Sequence, residues 1–578
     1  MGRSFLYKGI GKTFVCKYFA CNRTVCSRIV SGLITGSLLM GLYGCGATEN
    51  TTVSDTQKQE SSQEDLEPVT FTFYNADGME DTWTDPVAQK ITEKTGVTLK
   101  MDYPADASDN RIALMVATGE YPDLVFAKGD APTLIQNDAL IDMSDLIDEY
   151  GPNIKKLYGD EYENLRYSSD DPSIYQLCSD KVQEETLETS GTAQLQWAVL
   201  QENGYQIPYT LDEYTQMIRD YMVKYPTINE KPTIGISIAC SDWHWYTMLS
   251  NPSGFIANGS PDNGQWIVDE DKEEVYYKHA ADGQKEYYEW QIYNEGILDP
   301  EFATQTHEDY IMKIADGRVL GLLDKDWDYA NAEVSLRSEG QDERTYAGLP
   351  VTIDESVKCP SLKQRSLAVG WGIGITKSCK DPVRAVKFLD WICSDEGQIL
   401  LNWGIEGVNY YYDENGKRCI TEEDLEVSKS DTNYSERTGV GFRVYPFPSY
   451  GNEAVDSTGN SYSKSSRNVV KESYDEMEKE ALKAWNADML IDIFPQKEEF
   501  EKENYSPLWS LTLPDELNQI LSNLNDIAWK GLIDCIVCKP EDFDAKWDEM
   551  QQKLKTVGLK KADQEMTALL REEISRRE

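Results

Sequence analysis

The 578-residue chain carries 56 basic and 101 acidic residues, a formal charge of −45. A surface this acidic repels nucleic acid and anionic lipid, which removes both as partners, and the length exceeds what a single small core uses, so two lobes are expected. No G-x-x-x-x-G-K-[ST] run is present to cradle a nucleotide, and no cofactor is expected.

Residues 1–28 hold Arg3, Lys8, Lys12, Lys17, Arg23 and Arg28 without one acid, and Ile29 to Tyr43 is an apolar run ending in Leu42-Tyr43-Gly44-Cys45. Residues 1–44 therefore read as a secretory signal peptide with a lipoprotein-type cleavage site, leaving Cys45 as the lipidated, palmitate-bearing amino terminus. The run is shorter than the roughly 20 residues needed to span the hydrocarbon layer. An uncleaved anchor with an unmodified Cys45 is the competing reading, and both tether the protein at the extracellular face of the cell membrane. Residues 45–67 contain almost nothing apolar and read as a disordered, solvated tether.

Residues 68–180 read as the first part of lobe 1. Val69, Phe71 and Phe73 alternate with threonines as in a strand that Asn75-Ala76-Asp77-Gly78 breaks, and Thr84 with Pro86 starts a helix that Gly96 ends. Val97, Leu99 and Met101 alternate again, Asn110 to Thr118 reads as a helix stopped by Gly119, and Asp123 to Phe126 is a compact buried strand. Strand, helix, strand, helix, strand within about 60 residues implies a parallel sheet covered by helices, with the ligand beyond the carboxyl ends of the strands. This places Asn75 to Met79, Asp77 included, and Ala127 to Asp130, including Lys128, at a crevice.

Residues 181–365 read as the first part of lobe 2. Thr210-Leu-Asp-Glu213 is a capping box opening a helix. Ile234 to Ile238 is a strand running into Cys240-Ser-Asp-Trp-His-Trp-Tyr246, and Arg318 to Leu323 is another running into Asp324-Lys-Asp-Trp327-Asp-Tyr329. Residues 366–412 read as a hinge strand and return to lobe 1. The glycine-punctuated run Leu367 to Thr376 carries Trp371, Asp381 and Pro382 open a helix, and Ser394 caps a second that Gly404 stops after Trp403. From about 470 the chain is amphipathic and helical, with a frayed tail beyond Leu569.

A sugar ring presents an apolar face and a belt of hydroxyls, so its site needs flat aromatics beside fixed carboxylates or amides. Trp243, Trp245, Trp327 and Trp371, accompanied by Asp242, Asp326 and Asp328, meet that need, with Trp403 and Tyr410 to Tyr412 behind them. For each tryptophan ordinary packing is the competing reading. The spread of the cysteines argues for packing thiols, Cys535-Ile-Val-Cys538 included, rather than a disulfide framework. The histidines, His244, His279 and His307, are far apart in sequence and read as surface or satisfied residues, so no metal site is expected.

The run "DPVRAVKFLDWICSDEGQILLNWGIEG" with its apolar approach and tyrosine-rich exit resembles the extracellular solute-binding lipoproteins of bacterial ABC importers, in the carbohydrate-type group (family 1). "ATGEYPDLVFA" at 117–127, "LIDMSDLIDEYGPNI" at 140–154, "PYTLDEYTQMI" at 208–218 and "PEDFDAKWDEMQQKLK" at 540–555 resemble that family's recurring blocks in the same order. The resemblance implies an α/β, periplasmic-binding-protein-like fold. It would have two doubly wound lobes, a hinge and extra carboxyl-terminal helices, with 413–578 packing on lobe 2. It also implies a monomeric, non-enzymatic binder that closes on a solute, an oligosaccharide by expectation, and docks on ABC permease subunits. A secreted carbohydrate-active enzyme needs only two placed carboxylates, and a surface sensor or adhesin would use the same fold. Neither a G-x-S-x-G elbow nor an H-E-x-x-H helix supports an enzyme.

Overall fold

A computed structural model describes residues 67–577 except 79, 105–109, 169, 188, 190, 192, 294–295, 364–366, 368, 501–507, 509–510 and 512. The expected signal peptide (1–44), the lipidated Cys45, nearly all of the 45–67 tether and Met79 lie outside the described residues. No helix among the described residues is long and apolar enough to cross a membrane.

Local chemistry starts the first sheet. Strand Val69–Asn75 turns Phe71 and Phe73 inward. The Asp85 carboxylate then accepts the Ala88 N–H (2.9 Å) to begin the helix Pro86–Thr95, and Gly96, at φ 69°, ends it. The chain returns as strand Val97–Asp102, parallel to the first with Val69 opposite Val97, and after helix Arg111–Thr118 strand Leu124–Phe126 pairs parallel on the other side. This is the expected parallel unit. Two later strands extend it in the opposite sense: Gly372–Ile375 lies antiparallel beside Leu124–Phe126, and Leu177–Cys178 antiparallel beyond it. A Cβ on Gly372 would come within 2.3 Å of the Leu177 carbonyl, so only glycine permits that pairing.

The second sheet runs Tyr346–Leu349, Ala193–Gln196, Val319–Leu322, Ile234–Ser237, the last two parallel and the other pairs antiparallel. Helix Leu211–Lys224, opened by the Thr210/Glu213 capping box, lays Tyr214 so close over Gly321 that a Cβ there would stand 2.1 Å from the phenol oxygen. Helices Asp515–Val537, Phe543–Val557 and Leu559–Arg577 pack on this half through Leu517, Leu524, Leu532, Met550 and Leu554. The last helix does not fray at Leu569 as expected. It runs on to Arg577, held along the hairpin Trp266–Asp269/Glu274–Tyr277 by bonds from the Tyr277 and Val275 N–H groups to Asp563 Oδ1 (2.8 Å) and Thr567 Oγ1 (2.9 Å).

Each sheet owns a hydrophobic core, and the chain passes between the two cores three times: after Val182, after Val351 and after Tyr462. A small cluster, with Leu187 from the first passage and Val470, Tyr474 and Met489 from the third, packs where two passages meet. The boundary expected at 413 is corrected here. Tyr434, Phe447, Tyr450 and Tyr462 pack into the first core, Phe447 lying 6.0 Å from Phe73 and 6.1 Å from Phe388, and from Met477 the chain rejoins the second. The aromatic content of 434–462 outweighs its distance in sequence from the first sheet. Cys240, Cys359, Cys393 and Cys535 are buried thiols, and Cys535 forms no disulfide with Cys538.

Candidate functional site

Between the two halves lies a cavity of about 610 Å³, within the range that holds small-molecule ligands. Its first wall comes from the exit of strand Leu124–Phe126: a one-turn helix, Lys128–Asp130, then helix Ala131–Gln136, exposing Gly129, Asp130, Thr133 and Gln136. Trp371, at the entry of the neighbouring antiparallel strand, stands beside them, its indole nitrogen 3.9 Å from where a Gly129 Cβ would be. Lys128 Nζ sits 5.1 Å over the Trp371 ring and 2.7 Å from Asp77 Oδ1, and Asp77 Oδ2 accepts the Tyr445 hydroxyl (3.0 Å). Tyr167 and Tyr175 add an edge-to-face pair (5.7 Å), and Gln176 Nε2 donates to the Gly370 carbonyl (2.8 Å).

The opposite wall is an amide floor with aromatics. Tyr246 and Trp266 line it with Asn251, Asn263 and Gln265, and Asn518, Leu521 and Met566 close it from the carboxyl-terminal helices. The amides are fixed from behind. Lys278 Nζ donates to Asn251 Oδ1 (3.2 Å), Asn251 Nδ2 donates to Asp262 Oδ2 (3.1 Å), and the Ser250 hydroxyl donates to Gln265 Oε1 (3.1 Å). Burial pushes the Lys278 ammonium down to about 8 and holds the His279 imidazole, 3.1 Å from Ser250 Oγ, well below its usual range. The buried Asn263 Oδ1 has no hydrogen-bond partner among the described residues. Such a surface offers flat apolar faces and oriented donors and acceptors, the combination a polyhydroxylated ligand requires.

The residues singled out from the sequence divide. Trp371 lines the cavity. Lys128 and Asp77 stand one layer behind it, and Asn75 Oδ1 accepts the Asp77 N–H (3.0 Å), which shapes the turn that presents Asp77. Trp245 and Trp403, expected at the ligand, are instead core residues, each 2% exposed. Trp245 stacks on Trp529 (5.9 Å, 4°), and Trp403 gives its indole N–H to the Ser461 carbonyl (3.2 Å) beneath Arg418.

Trp243 (44% exposed) and Trp327 (58%) stack parallel at 6.3 Å on the second half and do not line the cavity. Asp326 and Trp327 belong not to a loop, as expected, but to the first turn of helix Asp326–Ser338. Lys325, beside them, lies 3.9 Å from Asp262, the carboxylate that holds Asn251. Tyr167, Tyr175, Trp266 and the amides were missed. The turn-forming run Asp262-Asn263-Gly264-Gln265 ahead of Trp266 is the signal that could have found the last group.

A family profile of bacterial extracellular solute-binding proteins matches residues 87–403, more than half of the chain. Lipoprotein LipO of Bacillus subtilis is 23% identical over 345 residues, covering 56% of this chain and 64% of LipO. The fructooligosaccharide ABC transporter substrate-binding protein FusA of Streptococcus pneumoniae is 25% identical over 344 residues, covering 56% and 60%. The chain thus spans less than two thirds of the length of these relatives. Among solved structures, FusA of S. pneumoniae, an EF-hand mutant in complex with fructo-nystose, superposes with a TM-score of 0.62 at 17% identity, over 88% of this chain and 100% of that one. The alginate-binding protein AlgQ2 without calcium ion does so with 0.61 at 18%, over 87% and 98%. These likenesses show a periplasmic-binding-protein-like fold, and the profile match adds descent: the chain belongs to the bacterial extracellular solute-binding protein family.

Proposed function

We propose that the protein captures an oligosaccharide in the cavity between its halves and delivers it to the permease subunits of an ABC importer without altering it chemically. The observation that carries this reading is the pairing across about 610 Å³ of one aromatic wall, around Trp371 and Tyr167, with one amide wall, around Asn251 and Gln265. Contacts completed only when both walls touch the ligand favour the closed arrangement, and a preference of about 5.5 kcal/mol carries the equilibrium from mostly open to mostly closed. Trp371 is the residue assigned to stack on a sugar face, with Lys128 held against it by Asp77. The ligands of similar proteins, a fructooligosaccharide for FusA and alginate for AlgQ2, support a carbohydrate.

The signal at 1–44 and Cys45 complete the reading as a monomer lipid-anchored at the extracellular face of the cell membrane. Calorimetric titration of the chain from Ser61 onward against fructo-, manno- and urono-oligosaccharides tests capture: one should bind with 1:1 stoichiometry and be recovered intact. Absence of heat with every sugar, or recovery of cleaved sugar, refutes it. For the anchor, Cys45→Ala should release the protein into the medium; retention at the membrane would refute lipidation there.

A further inference from the structure

Charge inside the cavity is one-sided. Its charged lining is Asp130, Asp515 and Glu573 against one cation, Arg166. That cation is already engaged: its Nε donates to Glu163 Oε2 (2.6 Å) and its Nη1 to the Pro172 carbonyl (2.8 Å). The cations behind the walls are engaged as well. Lys128 faces Asp77 (2.7 Å), Lys325 stands 3.9 Å from Asp262, and the buried Lys278 gives its ammonium to Asn251 Oδ1 (3.2 Å). Asp130 has no such company. It precedes helix Ala131–Gln136, yet its carboxylate makes no capping bond there. Partial burial in the cleft pushes its carboxyl above the usual range, and no cation or hydrogen-bond donor among the described residues opposes the shift.

We infer that the cavity takes neutral oligosaccharides and refuses uronates, with Asp130 as the discriminating group; the inference rests on the capture reading above. A neutral ring can turn a hydroxyl hydrogen to the Asp130 carboxylate and satisfy it with a charge-assisted bond. A uronate instead brings a second anion into a cleft from which water is displaced, where like charges repel strongly and salt screens them poorly. No compensating cation is at hand, because every basic group named above already has an acceptor.

Two further features point the same way. Carboxylate recognition calls for the planar fork of a guanidinium, and the fork that Arg166 offers is held by Glu163 and Pro172. The amino end of helix Asp515–Val537 also reaches the cavity, where backbone N–H groups would favour an anion. Its first turn carries Asp515 and Glu516, so the protein supplies that negative charge itself. Asp130 on one wall and Asp515 on the other thus set a field of one sign across the ligand.

The test is calorimetric titration of the full chain at neutral pH in EDTA, so that no divalent ion bridges two carboxylates. The probes are short fructo-, manno- and gluco-oligosaccharides, the same sugars oxidised at one terminal primary alcohol to the carboxylate, and the methyl esters of those acids. A neutral sugar that binds should bind about 100-fold more weakly as its carboxylate and recover most of that loss as the ester. Added salt should strengthen binding of the carboxylate and leave the neutral sugar unchanged. Asp130→Asn should lower the ratio of neutral to carboxylate affinity about tenfold. Asp515→Asn, at the exposed helix end, should lower the same ratio by less, and it decides the question even where Asp130→Asn does not fold. A carboxylate bound as tightly as its neutral parent, or binding of carboxylates alone, overturns the selection while capture stands. An ester as weak as its acid also overturns it, by showing a steric cause, and a ratio unmoved in the folded Asp130→Asn variant removes Asp130 from the role. Absence of heat with every probe refutes capture itself, and the selection falls with it.

Discussion

Replacing Trp371 by alanine separates recognition from packing. The side chain is half-buried at the cavity wall, while the backbone that holds the strand is bonded independently, through the Ser179 N–H to the Trp371 carbonyl (3.0 Å). An aromatic side chain can bury about 150–250 Å², so one indole face covered by a sugar removes roughly 80 Å² from water. At about 25 cal/mol per Å² that is about 2 kcal/mol, or roughly a 30-fold rise in Kd. The folded protein without ligand loses the Lys128 cation–π contact, about 0.5–1 kcal/mol at an exposed site, and the partial packing of the indole on the first core. Isothermal titration with the sugar that binds the parent, paired with a thermal scan, should show at least a tenfold (~1.4 kcal/mol) loss of affinity and a midpoint within about 2 °C of the parent. A midpoint lowered by more than about 5 °C with affinity intact would show that Trp371 is a packing residue and that the aromatic wall has been misassigned.

Trp403→Ala should behave oppositely: the fully buried indole lies under Arg418, and its removal should cost about 3–5 kcal/mol in urea unfolding while the folded fraction keeps the parent's affinity. Arg443→Met strips the guanidinium from Asp81 and Asp85, all three nearly inaccessible, and should destabilise by about 3–5 kcal/mol at neutral pH. A variant as stable as the parent in urea unfolding would refute the charge argument. Burial pushes Asp563 up to about 6 although the Tyr277 N–H bond opposes it. The folded state therefore binds its proton more tightly than the unfolded chain, and the stability this confers is complete below about 4 and lost as pH rises through 6. Asp563→Asn, which keeps an acceptor for Tyr277, should gain on the parent across that window; parallel stability curves from pH 4 to 7 would contradict the assignment.

What the chain order alone established is chiefly local. Pro86 with Gly96, the Thr210/Glu213 box, Asp381-Pro382 and Ser394 with Gly404 bound their helices because capping is decided by residues three or four apart, although the first cap is Asp85 and not the expected Thr84. The alternation at Val69–Asn75 and Val97–Asp102 likewise announced a parallel unit, and the ordered run of family-like blocks pointed to a binding protein. Only the tertiary structure decided which aromatics face the cavity. Trp243 and Trp245 are two residues apart in one run, yet one is exposed and the other is sealed against Trp529 from a helix nearly three hundred residues later. It also sent 434–462 back to the first core, set Asn251 and Gln265 opposite Trp371, and stacked His244 on His307. Each of those depends on contacts between distant segments, whose register is set by the packing of whole sheets and helices and leaves no periodic trace along the chain.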